Sequence, residues 1–381
     1  MPKNIICGII LWLVSAIGWL SAAQSKLPGG EMIPLWSKEV VPDLSRSRIF
    51  GRSLLLDSNR TGLVFLDDKQ LFAYAVDHDL GQLSSRDSPE ISSPFRLHLW
   101  LLDANSGNVV LTKDWGTRVH ESDVRVTSGG VLVRTGETLQ LYSRDFTQIQ
   151  DVALPPPGHN SVLIISVSAS GRTLMANQIH QKLNVSHLEV FDGGTLKQRF
   201  SWDQVPALYH NYSISDDGVA ATSFNSRRIV AAEFGDKSWK VVADTNGFCA
   251  GGNVPTLVTN EWFVSGCNAL SLMSIDGRVL MADFFASGET PSGKTAVAQG
   301  GRFVAVSLDS KTVTKHLLTE ASVRLTGTRI AVYDLFQKKR ILNVTVDPLP
   351  KNDYDFALSP DGSELAILDD REVSVYSVPI Q

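Results

Sequence analysis

Signals for helices are nearly absent from this 381-residue sequence. After the first 23 residues, no capping signal is followed by an apolar repeat of 3.6 residues for more than a turn or two. Apolar residues make up 43% of the chain and charged residues 20%, which is enough apolar side chain for a substantial core. The composition excludes a disordered or fibrous protein and indicates a globular one built from β-strands.

Blocks of positive charge are also absent. The 35 Lys and Arg residues are scattered among 40 Asp and Glu residues, and the formal net charge is −5. A protein that binds phosphate backbones concentrates its positive charge in a patch or along one element. Nucleic acid is therefore not an expected partner.

Enzyme motifs with a defined spacing are missing as well. The sequence contains no Gly-x-Ser-x-Gly nucleophile elbow, no Gly-rich phosphate loop and no His-Glu-x-x-His zinc motif. No cofactor or metal is expected, and the sequence names no catalytic residue.

Cysteine is scarce, with three residues in the chain. Cys7 lies in an N-terminal apolar segment, which leaves Cys249 and Cys267 as an even pair. In an oxidising compartment such a pair is expected to form a disulfide. The alternative is two buried free thiols. Two cysteines without further Cys or His at metal-ligand spacing do not make a zinc site.

The N-terminal 23 residues have the features of a signal peptide. Lys3 supplies the positive charge, an apolar run extends from Ile5 to Leu20, and Ser21-Ala22-Ala23 offers small residues for cleavage. We expect cleavage before Gln24 and a secreted or otherwise extracytoplasmic protein, in a periplasm or at a cell surface. The alternative is an uncleaved anchor, because about 20 apolar residues can cross a bilayer. Only in that case is a membrane a partner.

The rest of the chain, 24–381, repeats one pattern of strand, acidic or polar turn and strand. LHLWLLDANSGNVVLTKDW and HLEVFDGGTLKQRFSW are two of six such hairpins. Their turn acids lie 42, 47, 44, 40 and 58 residues apart, at Asp103, Asp145, Asp192, Asp236, Asp276 and Asp334. This period is typical of four-stranded propeller blades.

A second hairpin precedes each of these, and its turn often reads Ser-x-x-Gly, as in Ser359-Pro360-Asp361-Gly362. Two hairpins per period give six complete sets, at 63–115, 123–153, 162–202, 211–243, 255–285 and 296–346. A seventh set ends one strand short, and residues 32–41 supply an outer strand for it. We therefore predict an all-β, seven-bladed β-propeller of four-stranded antiparallel blades, whose last blade is closed by the N-terminal strand. A different interpretation of the 58-residue interval would give six or eight blades.

Several segments resemble WD-repeat blades. Gly158-His159 resembles the Gly-His start of such a blade, and Leu102-Asp103, Phe191-Asp192 and Tyr333-Asp334 stand where that family has Trp-Asp. The likeness is loose and covers nearly all of 24–381. Because true Trp-Asp pairs are missing, the chain also resembles exported bacterial propellers of the lactonase and quinoprotein type. Both resemblances imply the propeller fold.

Candidate binding residues precede or follow blades, on loops that a propeller gathers at one face. That face carries the connections between second and third strands and between blades, and its side chains converge on a channel mouth. Aromatic and histidine side chains there combine apolar area with polar tips, and carboxylates add charge. The candidates are Trp115, His120, Trp202, Tyr209, His210, Asp353, Tyr354 and Asp355.

These observations favour a non-enzymatic scaffold that binds a protein, peptide or glycan partner outside the cytoplasm. A propeller enzyme of lactonase or sugar-lyase/hydrolase type is an alternative, since such enzymes take carboxylates and histidines from scattered loops. A structural module of a larger envelope complex is a third possibility, for which an uncleaved anchor would be the supporting sign.

Overall fold

A computed structural model describes most of the chain after residue 31. The described residues are 32–41, 61–78, 95–117, 122–155, 161–180, 185–206, 213–217, 219–224, 228–233, 237–238, 240–244, 256–258, 261–265, 269–274, 277–314, 322–346, 354–369 and 371–380. All of them belong to one compact unit, Met32–Gln381. In these ranges every regular element is a β-strand, and no helix is long and apolar enough to cross a bilayer.

The strands form seven four-stranded antiparallel sheets, numbered here in chain order, and the first strand of the chain, β1 (Trp36–Glu39), belongs to sheet 7. Sheet 1 contains β2 (Thr61–Asp67), β3 (Gln70–His78), β4 (Phe95–Asp103) and β5 (Val109–Thr117). Sheet 2 contains β6 (Ser122–Thr127), β7 (Gly130–Thr135), β8 (Thr138–Tyr142) and β9 (Gln148–Ala153). Sheet 3 contains β10 (Ser161–Val167), β11 (Thr173–His180), β12 (Val185–Asp192) and β13 (Gln198–Pro206). Sheet 4 contains β14 (Ser213–Ile214), β15 (Val219–Phe224), β16 (Arg228–Glu233) and β17 (Lys240–Asp244). Sheet 5 contains β18 (Thr256–Val258), β19 (Glu261–Ser265), β20 (Ala269–Ser274) and β21 (Val279–Phe284). Sheet 6 contains β22 (Glu289–Val297), β23 (Phe303–Thr314), β24 (Ser322–Asp334) and β25 (Lys339–Val346), and sheet 7 adds β26 (Tyr354–Leu358), β27 (Glu364–Asp369) and β28 (Glu372–Ser377).

The burial of side chains follows each strand's place in its sheet. Along β12 buried and half-buried residues alternate, so Ser186, Leu188 and Val190 face the interior. Along β11, in the middle of the same sheet, seven successive residues are buried. A strand covered on both faces exposes neither side to solvent, which explains the continuous burial even of Thr173, Asn177 and Gln178.

Each sheet packs against the next. Shared apolar cores join sheets 1 and 2, 2 and 3, 3 and 4, 5 and 6 and 6 and 7. Between sheets 4 and 5, the first strands β14 and β18 lie in contact. Sheet 1 also shares a core with sheet 7 that includes Leu71, Ala73, Val373 and Val375. The packing therefore runs from sheet 1 to sheet 7 and returns to sheet 1.

The N-terminal strand β1 is the outer strand of sheet 7. It pairs with β28 from Trp36↔Val375 to Glu39↔Glu372. The Trp36 indole lies over the turn of sheet 1, where its Nε1 donates to the Ala104 carbonyl at 2.5 Å. Gly107 in that turn has φ +66°, and a Cβ there would lie 2.6 Å from the indole, so glycine is required for this contact.

The all-β propeller prediction is confirmed. The 58-residue interval in the repeat is explained by sheet 6, whose β23 and β24 are 12 and 13 residues long. These are the longest strands in the described part of the chain, and they lengthen one hairpin without adding a sheet. Sheet 6 also begins earlier than expected, at Glu289 and not near residue 296.

Candidate functional site

Charged and polar side chains meet where the first strands of four sheets lie side by side. The first strand β2 of sheet 1 contacts β6 of sheet 2 and β26 of sheet 7, and β26 also contacts β22 of sheet 6. We name the end of the sheets at which second strands turn into third strands the loop face, and the opposite end the turn face. First strands begin at the loop face, so residues near their start lie there.

The first part of this site consists of Tyr74, Asp123 and Arg125. The Tyr74 hydroxyl donates to Oδ1 of Asp123 at 3.3 Å. The Nη2 atom of Arg125 lies 3.1 Å from Oδ2 of the same carboxylate. Burial and then the charge of Asp123 raise the pKa of Tyr74 far above its ordinary value, so it remains a neutral donor. The charge of Asp123 also raises the pKa of Arg125. A Cβ on Gly62 would lie 2.0 Å from the Tyr74 ring, so glycine there makes room for the phenol.

Asp355 is the second carboxylate of the site. Its Oδ2 accepts a hydrogen bond from the Leu63 backbone N–H at 2.9 Å, which joins sheets 7 and 1. Burial raises the pKa of Asp355, and the charges of Lys294 and Arg125 act in the opposite direction. The Asp355 carboxylate is therefore within the electrostatic influence of two cations that come from different sheets.

Lys294 comes from sheet 6 and contacts the residue before Asp355. Its Nζ donates to the Tyr354 carbonyl and lies 5.1 Å from the centre of the Tyr354 ring. The Tyr354 hydroxyl donates to Oγ of Ser292 at 3.3 Å. Burial raises the pKa of the Tyr354 phenol, so this residue also stays neutral. We name Tyr74, Asp123, Arg125, Lys294, Tyr354 and Asp355 the channel cluster.

The channel cluster offers hydrogen-bonded carboxylates and a partly exposed cation, an arrangement suited to binding a polar ligand. Both carboxylates already accept hydrogen bonds, Asp123 from Tyr74 and Asp355 from Leu63. In contrast, 42% of the Arg125 side chain is open to solvent while its guanidinium is ion-paired with Asp123. Among the described residues, no three His, Cys, Asp or Glu side chains are grouped to hold a metal. The cluster therefore presents an open guanidinium, supported by fixed charges, to a polar ligand.

The candidate residues from the sequence fall in different places. Tyr354 and Asp355 belong to the channel cluster. Trp115 and Trp202 lie in the fourth strands β5 and β13 and pack between sheets: Nε1 of Trp115 donates to the Tyr142 hydroxyl at 3.0 Å, and Trp202 packs against Leu188. The structure thus does not bring either tryptophan to the channel cluster. The remaining candidates, His120, Tyr209, His210 and Asp353, and the pair Cys249 and Cys267, lie outside the described residues and stay predictions.

Two histidines pair with carboxylates across neighbouring strands. Nδ1 of His98 lies 2.8 Å from Oδ1 of Asp114, and Nδ1 of His187 lies 2.6 Å from Oδ1 of Asp203. In each pair the third strand contributes the histidine and the fourth strand the aspartate. These contacts hold outer strands in place, and neither histidine belongs to the channel cluster.

Sequence reasoning missed Tyr74, Asp123, Arg125 and Lys294. One signal was present: Asp123 and Arg125 are two apart in the first strand Ser122–Thr127, so both side chains leave the same face of that strand. Charges on one face of an innermost strand indicate a channel lining.

No protein-family model matches the chain, and no curated protein matches it. Solved structures do. One chain, from a structure described as "Crystal Structure of Mitotic Checkpoint Complex", is 12% identical, with a TM-score of 0.54 over 95% of this chain and 98% of its own. The C-terminal WD40 domain of Sif2 is 9% identical, with a TM-score of 0.48 over 92% of this chain and 99% of its own. The chain has a WD-repeat-like β-propeller fold, as the sequence resemblance predicted.

Proposed function

We propose that this chain is an exported propeller that binds a protein partner at its loop face. The observation that carries the proposal is the solvent-open Arg125 in the channel cluster, held by charges from neighbouring sheets. Arginine in a preorganised concave site is a frequent centre of binding energy. A solved structure of similar fold belongs, by its description, to a complex. Peptide and glycan partners are the other outcomes of the test.

In this proposal the seven sheets are the seven blades of one ring. The return of packing from sheet 7 to sheet 1 supports this arrangement. The pairing of β1 with β28 supports closure of the ring by the N-terminal strand. A closed ring fixes the first strands relative to one another, so Lys294, Asp355 and Arg125 keep their spacing without a ligand.

We expect replacement of Arg125 by Gln to lower partner binding at least tenfold, since Gln keeps a polar but shorter side chain and removes the charge and the guanidinium donors. The exposed Arg172, in the turn between β10 and β11 on the turn face, provides the matched control. Partners of the wild-type protein are captured by chemical crosslinking, identified by mass spectrometry and titrated against Arg125→Gln and Arg172→Gln. A glycan array covers the carbohydrate outcome. Loss of binding in Arg172→Gln with retention in Arg125→Gln would place the function on the wrong face.

Export predicts an oxidised pair of cysteines, because extracytoplasmic compartments favour disulfides. A bridge between Cys249 and Cys267 closes a short loop, for which chain entropy predicts about 3 kcal/mol of stabilisation. We expect the unreduced, denatured protein from the exported fraction to show no free thiol on alkylation, and a chain that begins near Gln24.

The Cys249→Ser variant should unfold at lower urea concentration. Two alkylated thiols in the exported protein would contradict the bridge.

A further inference from the structure

The hairpin formed by β23 and β24 extends beyond the rest of sheet 6. The pairing of β22 with β23 ends at Glu289↔Ser310, and the pairing of β25 with β24 ends at Val346↔Thr328. Beyond these points β23 and β24 still pair with each other, as far as Thr314↔Ser322. We name this part, residues 311–314 and 322–327, the arm. Because it joins a second strand to a third strand, it extends from the loop face.

One edge of the arm has no partner strand among the described residues. The Lys311 N–H donates to the Gly288 carbonyl at 3.0 Å, so the backbone of Lys311 points away from β24. Leu325 is directly opposite Lys311, and its N–H and C=O therefore point away from β23. Because the orientation of backbone groups alternates along a strand, the N–H and C=O of Val323, two residues before Leu325, also point away from β23. No strand in the described part of the chain pairs with this edge between Ser322 and Gly327.

Edges of this kind add strands from other chains. Proteins usually protect a free edge with proline, lysine or a very short strand. The segment SVRLTG of β24 contains neither proline nor lysine. Its valine, leucine and threonine favour extended structure. Among the described residues the arm therefore offers a free edge that carries one charged residue, Arg324, and a bulge at its base, between Ser310 and Lys311.

The charge of the arm indicates the kind of segment that fits. Lys311 and Arg324 are its charged residues, and the connection 315–321 adds Lys315 and Glu320 to the hairpin, so that positive charge is in excess. The Lys311 side chain is 40% exposed and lies 3.8 Å from the Asp309 carboxylate. The positive charge contrasts with the net charge of −5 for the whole chain and favours an acidic ligand.

The base of the arm is rigid. Arg329 of β24 donates two hydrogen bonds to the Glu289 carboxylate, at 2.6 and 2.7 Å. The Thr328 hydroxyl donates to Asp309 at 3.1 Å, and the Thr326 hydroxyl donates to the Ser310 carbonyl at 3.1 Å. A fixed base reduces the entropy lost when a partner segment is ordered along the edge.

We infer that the 322–327 edge of β24 binds an extended acidic segment of a partner by β-augmentation, in which backbone hydrogen bonds supply affinity and the arm's charge selects the ligand. This inference rests on the proposed partner-binding function. It assigns the arm a role separate from that of Arg125.

The test is a pair of variants at one position, Val323→Pro and Val323→Thr. Proline removes the outward N–H while leaving the hydrogen bonds between β23 and β24, and an edge strand tolerates proline when its N–H faces outward. Threonine keeps the N–H and nearly the same shape. A displayed library of random dodecapeptides is selected on the purified full chain, and the enriched peptides are synthesised. We expect acidic peptides whose Kd rises at least tenfold in Val323→Pro and changes less than twofold in Val323→Thr.

A second variant and a second measurement guard against a folding defect. Lys311→Glu leaves the backbone edge intact and should weaken the acidic peptides at least fivefold. Hydrogen exchange of the wild-type protein should show peptide-dependent protection of the Val323 and Leu325 amides. The inference would be overturned if the selection returned no acidic peptide, or if the peptides protected amides other than those of Val323 and Leu325. It would also be overturned if the wild-type protein and Val323→Pro bound the peptides with equal Kd at the same melting temperature. Since Arg125→Gln tests the channel cluster with the crosslinked partner, failure of the arm and failure of the proposed function are distinguishable.

Discussion

A chain that begins at residue 42 is expected to lose its cooperative thermal transition or to melt at least 10 °C lower than the full protein. The deletion removes β1, whose residues pair with four residues of β28. It also removes Val41, which is 2% exposed within the core shared by sheets 7 and 1. Burial of a large apolar side chain contributes about 1.5–3 kcal/mol, and the deletion removes Trp36 and Val41 together.

The loss is larger than the sum of these side chains because the deletion also exposes an edge. The Leu35 N–H donates to the Val375 carbonyl at 2.7 Å, and the Val40 N–H donates to the Arg371 carbonyl at 2.9 Å. Without them β28 becomes a free edge next to the junction of sheets 7 and 1, where aggregation would begin. Differential scanning calorimetry measures the transition, and hydrogen exchange at residues 372–377 should increase first. The matched control is a chain that begins at Met32, and equal melting of the two truncated chains would contradict closure by β1.

The order of strands was predictable because it depends on local pattern. Each hairpin carries alternating apolar residues and a polar turn, and these signals need no knowledge of the distant chain. The predicted start of sheet 6, near residue 296, was wrong because it also depended on local pattern alone. Pro291 and Gly293 in ETPSGKTAV are typical of a turn, but the strand accommodates them with a register shift between Pro291 and Thr295.

The candidate site was predictable only where position in the blade implied it. Tyr354 and Asp355 were identified because they begin a first strand, and first strands begin at the loop face. Arg125 and Lys294 were missed because a charged residue in a strand resembles an ordinary exposed one until the contacts between first strands of different sheets are known. Trp115 and Trp202 stay predictions as binding residues, although both pack against apolar cores between sheets. An aromatic residue in a fourth strand can pack between sheets or reach a loop, and only the tertiary structure distinguishes these alternatives.

Replacement of Arg329 by Met is expected to destabilise the protein by about 1.5–3 kcal/mol at pH 7, less than the loss of one member of a fully buried ion pair, because both side chains are only partly buried. The Arg329 and Glu289 side chains are 17% and 10% exposed, and Arg329 also donates to Oδ1 of Asn343 at 3.0 Å. Methionine fills much of the same volume but removes both hydrogen bonds that Arg329 donates to the Glu289 carboxylate. Of the three donors described here, the Ala286 N–H then remains. Urea unfolding measures the difference.

The pH dependence identifies the cause of this loss. Burial alone would raise the pKa of Glu289, but hydrogen bonds from Arg329 and from the Ala286 N–H prevail and lower it. A carboxyl whose pKa is lower in the folded state contributes stability above its unfolded pKa of about 4.3 and loses it as the pH falls through the folded value. In Arg329→Met the carboxyl is protonated at higher pH, so the gap between variant and wild type should narrow from pH 7 towards pH 4.

The double variant Glu289→Gln with Arg329→Met separates the lost pair from lost packing. Because the introduced glutamine carries no charge, the double variant should recover most of the stability at pH 7 and show no narrowing of the gap at low pH. Hydrogen exchange at Arg324, whose N–H points towards β23 by alternation with Leu325, should increase in the single variant, since Glu289 and Arg329 join β22 to β24 at the base of the arm. A single-variant loss below about 1 kcal/mol, or a gap that is constant with pH, would show that the pair does not hold the arm in place.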